Sequence, residues 1–171
     1  MKPLVLDSTP LIYLTKAGLS RIFKELQGEK LTPTSVKREV TDAGKNRGIP
    51  GAVVLDRLFA NGVFKVYEPT NKKFLAMLLE TRGLHCCADA EVLCLAYERG
   101  GIAVVDDEAA RKTAKVYDID YAGSFFVLMQ AVCAGLISKT KAKQVVNDMV
   151  SSGWRCNVES YTKIIEALDK L

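Results

Sequence analysis

One histidine, His85, is all the imidazole in the chain, and the five cysteines, Cys86, Cys87, Cys94, Cys133 and Cys156, form an odd set without C-x-x-C spacing. That inventory supplies neither a zinc site nor a secreted disulfide framework, so reduced and mostly buried thiols are expected. Long apolar runs are missing as well, and none approaches the length of a membrane span. The opening "MKPLVLDSTPLIYL" carries a Pro and an Asp where a signal peptide needs an uninterrupted apolar core. The expectation is a soluble, cytoplasmic protein with no membrane partner. A G-x-x-x-x-G-K loop is absent, which excludes nucleotide hydrolysis by a P-loop. Internal repeats, low-complexity segments and linkers are absent too. Charge of one sign is in short supply: a net +4 is compatible with a nucleic-acid partner without demanding one. The short basic run of Lys139, Lys141 and Lys143 reads as a solvated helix face.

What is present is enough for one well-buried domain over 1–171, with 49% hydrophobic and 26% charged residues. Apolar runs alternate with helical patterns. Strands are predicted at 3–6, 30–32, 63–67 and 102–105. Thr9 and Pro10 open a helix that Gly18 ends, and further helices are predicted at 19–26, 34–43, 52–60, 70–81, 87–98 and 108–116. The segment "AGSFFVLMQAVCAG" reads as an apolar helix with Ser124 as its cap, and two amphipathic helices near 139–151 and 158–170 follow. The Gly- and Pro-rich stretch 44–51 is expected to be a mobile loop. Strands separated by helices imply right-handed crossovers and an α/β fold whose parallel sheet is covered on both sides.

Four acidic sites stand out against this frame. In an open parallel sheet, functional groups collect beyond the carboxyl ends of the strands. Asp7 follows "LVL" directly, and the pair Asp106 and Asp107 follows "AVV". Asp89 shares a helical face with Val92, Leu93 and Ala96, and Glu39 shares one with Ser35, Val36 and Ala43. Each has an ordinary reading: helix capping for Asp7, Asp106 or Asp107, a first-turn dipole partner for Asp89, and a solvent pair with Lys37 or Arg38 for Glu39. If the two strand ends are neighbours, however, the carboxylates face one another. Their repulsion then calls for a hard divalent cation such as Mg²⁺ or Mn²⁺. Because side chains alternate along a strand, only one of Asp106 and Asp107 should point into the site. Either Asp107 holds the metal and Asp106 supports it, or Asp107 caps the following helix and Asp106 takes the metal.

Four segments then carry a resemblance. "VLDSTPLIYLTKAG", "TPTSVKREV", "ADAEVLCLA" and "AVVDDEAARKTA" resemble, in order and spacing, the four acidic motifs of the PIN-domain ribonucleases. The tail, "GSFFVLMQAVCAGLIS" and then "MVSSGWRCNVESYTKIIEAL", is similar to a prokaryotic PIN subfamily whose members commonly accompany small antitoxins. The resemblance implies a three-layer α/β/α fold with a central parallel sheet and two extra C-terminal helices, often dimeric. It further implies a Mg²⁺- or Mn²⁺-dependent endoribonuclease that cuts RNA by in-line attack of metal-activated water.

On that reading the catalytic residues are Asp7, Glu39, Asp89 and Asp107, with Asp7, Asp89 and Asp107 on the metal. Ser8, Thr9, Glu91 and Asp106 stand behind them, and Arg38, Lys45 and Arg47 contact the RNA. The third motif departs from the subfamily, which more often has glutamate where Asp89 stands and a glycine before it where this chain has "HCCA". A catalytically weakened RNA-binding or regulatory module is the alternative. A haloacid-dehalogenase-type phosphatase is disfavoured because "DSTPLI" lacks the second aspartate two residues after Asp7, and a receiver domain because no acidic pair flanks the first strand. His85 reads as a partly exposed loop residue, with a proton shuttle as the less favoured role.

Overall fold

The computed structural model describes residues 1–46, 48, 51–81, 84 and 87–171. Five parallel strands form one sheet in the order β3-β2-β1-β4-β5: β1 (Leu4–Leu6), β2 (Lys30–Pro33), β3 (Lys65–Tyr67), β4 (Ile102–Val104) and β5 (Tyr121–Ala122). The chain builds outward from β1 through β2 to β3, then returns to the other side of β1 for β4 and β5. The strand order therefore reverses at β1, and the crevice of a doubly wound sheet opens where β1 and β4 end. Register fixes this corner: Leu6 pairs with Val104, and the Asp7 N–H donates to the Val104 carbonyl at 3.2 Å.

The helices follow from the sequence with local differences. They are α1 (Ser8–Lys16), α2 (Ile22–Glu25), α3 (Thr34–Arg38), α4 (Gly44–Asn46), α5 (Ala52–Ala60), α6 (Lys72–Leu79), α7 (Cys87–Arg99), α8 (Glu108–Val116), α9 (Ser124–Cys133), α10 (Lys139–Ser151) and α11 (Val158–Lys170). The central helix α7 lies across β1, β2 and β4, with α3, α6 and α8 beside it. Ala88, Ala90, Val92, Leu93, Cys94, Leu95 and Ala96 are all buried, so this helix is apolar nearly all round, as one enclosed on several sides must be. On the other side, α1 packs with α5, α9 and α10, and α10 with α11. Leu6, Leu11, Leu14, Leu93 and Leu128 are at most 1% exposed. Each stabilises the fold by about 1.5–3 kcal/mol relative to an exposed position.

Several expectations are corrected. The helix expected at 19–26 shrinks to α2, because the turn that ends α1 uses residues 18–19, with the Leu19 N–H on the Leu14 carbonyl at 2.8 Å. The helix expected at 34–43 changes from α3 to a π-helical turn at Glu39–Ala43. In the segment expected to be a mobile loop, Gly44–Asn46 is helical, and Arg47, Ile49 and Pro50 lie outside the described residues. Gly51 (φ +94°) begins α5 where a Cβ would come within 2.7 Å of Thr15 Cγ2, so α1 and α5 meet there only over a glycine. Strand β3 starts at Lys65 rather than Val63, whose N–H still closes the end of α5 on the Leu58 carbonyl. Ser124 is not a cap: Gly123 holds that position and Ser124 is the first helical residue.

The cysteines were expected to be mostly buried, yet among those described only Cys94 is. Cys87 and Cys133 are exposed, Cys156 is half-buried, and all four are free thiols. Burial pushes the Cys94 thiol up to about 12, with Glu98 adding to the shift, so it is inert. His85 and Cys86 lie outside the described residues. Among the described residues no helix is long and apolar enough to cross a membrane.

Candidate active site

Asp7 is the centre of the acidic corner. It leaves the end of β1 with extended backbone and occupies the N-cap position of α1, but its side chain makes no capping hydrogen bond. Only 5% of the residue is exposed. Its carboxyl is pushed up to about 7, chiefly by burial and next by the negative charge of Asp89. The Ser8 N–H pulls the other way, Glu39 adds a further push, and the Thr9 N–H a further pull. Burial and the Asp89 charge outweigh the two N–H groups, so the net shift is upward.

The two charges come from helices that the sheet positions. Asp89 sits in the first turn of α7, half-buried. Glu39 opens the π-helical turn after α3, exposed, while Val36 and Val40 on either side of it are buried. Glu91 joins the two: its Oε2 accepts from Ser35 Oγ, tying α7 to α3 and so fixing the spacing of the helices that carry Asp89 and Glu39.

Of the pair after β4, Asp107 takes the helix-cap position that the second sequence reading gave it, while Asp106 is engaged by protein donors. Asp107 is exposed and caps α8, its Oδ1 accepting from Ala109 N at 2.9 Å and Ala110 N at 3.0 Å. Asp106, with 10% of its side chain exposed, accepts from Ser124 N at 2.8 Å, from Ser124 Oγ, from Trp154 Nε1 at 2.9 Å and from Arg111 Nη2 at 3.1 Å. An oxygen pair so occupied joins β4 to α8, α9 and the segment after α10. It holds the fold together at this corner and has no lone pair to spare for a cation. Gly123 is required beside it, since a Cβ there would collide with the Arg111 guanidinium and lie 2.8 Å from Asp106 Oδ1.

A family model described as a PIN domain matches residues 3–170. The chain belongs to the PIN-domain family. PIN domains are usually nucleases, and they generally use divalent metal ions. No curated protein matches the chain.

The donor chemistry of this PIN domain suits such an ion in one place. Among the described residues no three His, Cys, Asp or Glu side chains are gathered closely enough to hold an ion as they stand. Asp7 nevertheless presents a buried carboxyl whose ionised form is disfavoured by Asp89 and Glu39. A hard cation would reverse that penalty, and oxygen donors are what it prefers.

Beside this corner the PIN domain carries a groove of about 1290 Å³ that sequence reasoning missed. Thr9, Asp107, Tyr121, Phe125, Trp154 and Arg155 are among the residues that line it. Two features hid it. β5 is only two residues long, and the turn "SGWRCN" reads as a plain connection between amphipathic helices. The Trp and Arg in that turn were the available signal. Of the basic residues expected at the mouth, Arg38 is exposed on α3, the side chain of Lys45 is outside the described set, and so is Arg47.

Proposed function

We propose that the chain acts as a single Mg²⁺- or Mn²⁺-dependent endoribonuclease domain. The observation that carries this reading is the buried Asp7 carboxyl, raised to about 7 by burial and by Asp89 and Glu39, at the reversal point of a PIN-family sheet. Asp7 and Asp89 would hold the ion, Glu39 would reach it from the exposed side, and the Asp107 oxygen not used by the α8 cap would complete the set. When bound, the ion supplies charge stabilisation for a phosphodiester transition state and an activated water. The backbone N–H groups of Ser8 and Thr9 favour the ionised Asp7 carboxyl that a cation would need. Ser35 and Glu91 hold α3 against α7, which keeps Glu39 and Asp89 facing the same corner. Arg38 beside Glu39 is the natural contact for an incoming RNA phosphate, with Lys45 and Arg47 further along the same segment. The toxin role and a small antitoxin partner belong to the same proposal and rest on the resemblance of the tail, a homodimer rests on the PIN resemblance as a whole, and a cytoplasmic location rests on the absence from the sequence of a membrane-length apolar run and of a signal-peptide core.

The test is cleavage of single-stranded RNA by purified protein with Mg²⁺, with Mn²⁺ and with EDTA. Cleavage with either ion and none in EDTA is expected. Asp7→Asn should slow it by more than about a hundredfold, the upper end of what losing an outer partner of a metal ligand costs. Asp7→Asn cutting as fast as the parent would defeat the proposal. The second reading, a weakened RNA-binding module, is favoured by one observation: Asp106 is saturated and Asp107 is partly used as a cap. RNA binding without cleavage in Mn²⁺ would select it.

A further inference from the structure

The groove beside the acidic corner has one wall that the acidic motifs do not provide. Gly153 to Asn157 and the first turns of α11 form it, and β5 and the first turn of α9 also line the groove. Asp106 holds this wall in place through Trp154 Nε1, and Tyr13 Oη donates to the Gly153 carbonyl at 3.1 Å. At about 1290 Å³ the groove exceeds the roughly 300–1,000 Å³ of an ordinary small-molecule site. Thr9, two residues after Asp7, and Asp107 also line it, which places the groove next to the acids that follow β1 and β4.

The charges lining it are mostly matched. Arg111 is paired with Asp106, Glu108 with Lys112, Lys163 with Glu159, and Asp107 caps α8. Arg155 is the exception: it is exposed and, among the described residues, its side chain makes no ion pair or hydrogen bond. Two rings with free surface line the same groove, Tyr121 at 42% exposure and Phe125 half-buried. A cation without a partner and open aromatic faces along one groove match a flexible polyanion with unpaired bases. A duplex would keep its base faces stacked inside and leave the rings unused.

We propose that the groove between the segment joining α10 to α11 and the β5–α9 region is a subsite for single-stranded RNA, in which Arg155 meets a phosphate while Tyr121 and Phe125 stack on bases beside the acidic corner. This inference rests on the nuclease reading for its substrate. Binding of a short fluorescein-labelled oligouridylate to the full chain, followed by anisotropy in EDTA, measures it without turnover. Tyr121→Ala should weaken binding about tenfold, as loss of one base–ring stack does. Arg155→Ala should weaken it several-fold and reduce the salt slope by about 0.7, as loss of one phosphate contact on a single strand does.

Both side chains are exposed, so unchanged thermal melting is expected and checks the fold. Parent-like affinity in both variants, equal affinity of the parent for duplex RNA, or no binding by the parent would each overturn the proposal. Cleavage assays in Mn²⁺ separate the two claims. Cleavage by the parent, with variants that bind like it, ends the subsite and leaves the nuclease. Weakened binding in the variants, with a parent that never cleaves, ends the nuclease and leaves the subsite.

Discussion

Asp7 is unusual among the acids because its ionised form works against the fold. Its carboxyl titrates near 7 in the folded protein, against an ordinary value of 3.8. Between those two pH values the folded state holds a proton that the unfolded chain has released. Stability in chelator should therefore fall as pH rises from about 4 to about 7 and level off above that, by up to a few kcal/mol from this group. Asp7→Asn should flatten that slope and raise the melting temperature in EDTA at pH 8, measured by calorimetry; a variant that melts below the parent there would contradict it. Asp107 invites a different test. Asparagine caps a helix as well as aspartate does, so Asp107→Asn should preserve stability within about 0.5 kcal/mol while lowering cleavage. Asp107→Ala should cost about 1 kcal/mol more in denaturant unfolding, and equal stability of the two would contradict the cap. The sequence already placed Asp7 and the pair after β4 at strand ends, because an apolar run that stops on a carboxylate can be read locally. Which of Asp106 and Asp107 does what could not be read there, since the answer depends on Ser124 and Trp154, far along the chain.

At the scale of elements, the corner depends on pieces arriving from several parts of the chain. Trp154 reaches Asp106 from the turn after α10, and Gly123 leaves room for Arg111 between β5 and α9. Trp154→Phe leaves a smaller aromatic ring in the buried seat and removes the N–H donated to Asp106 Oδ2. A loss of about 1.5–3 kcal/mol is expected from denaturant unfolding, the usual range for a hydrogen bond to a charged group. Gly123→Ala should cost about 1–3 kcal/mol by forcing Arg111 aside, and parent-like stability of both variants would contradict the account of this corner. The long helices were legible because their periodic apolar faces and caps are strong local signals: α5, α10 and α11 begin and end where the sequence predicts. β5 and the π-helical turn were not. Two strand residues carry no alternation to detect, and a π turn differs from an α turn only in which carbonyl each N–H reaches.

For the whole molecule, the strand order decides where chemistry can occur. β1 lies between β2 and β4, so the acids that follow β1 and β4 meet at one end of the sheet, and α7 brings Asp89 to the same end. The alternation of strands and helices made that arrangement readable as a fold class, whereas the groove formed by the C-terminal helices required the tertiary structure. The central claim is that Asp7 is a cation site held proton-bound until a cation arrives. Calorimetric titration of the full chain with Mn²⁺ at pH 6, in two buffers of different ionisation enthalpy, counts the protons released on binding. With its carboxyl near 7, Asp7 should account for close to one proton in the parent. Asp7→Asn should bind Mn²⁺ weakly and release almost none, and the parent's release should vanish by pH 8.5. Mn²⁺ binding without proton release at pH 6, or with the same release in parent and Asp7→Asn, would contradict the account.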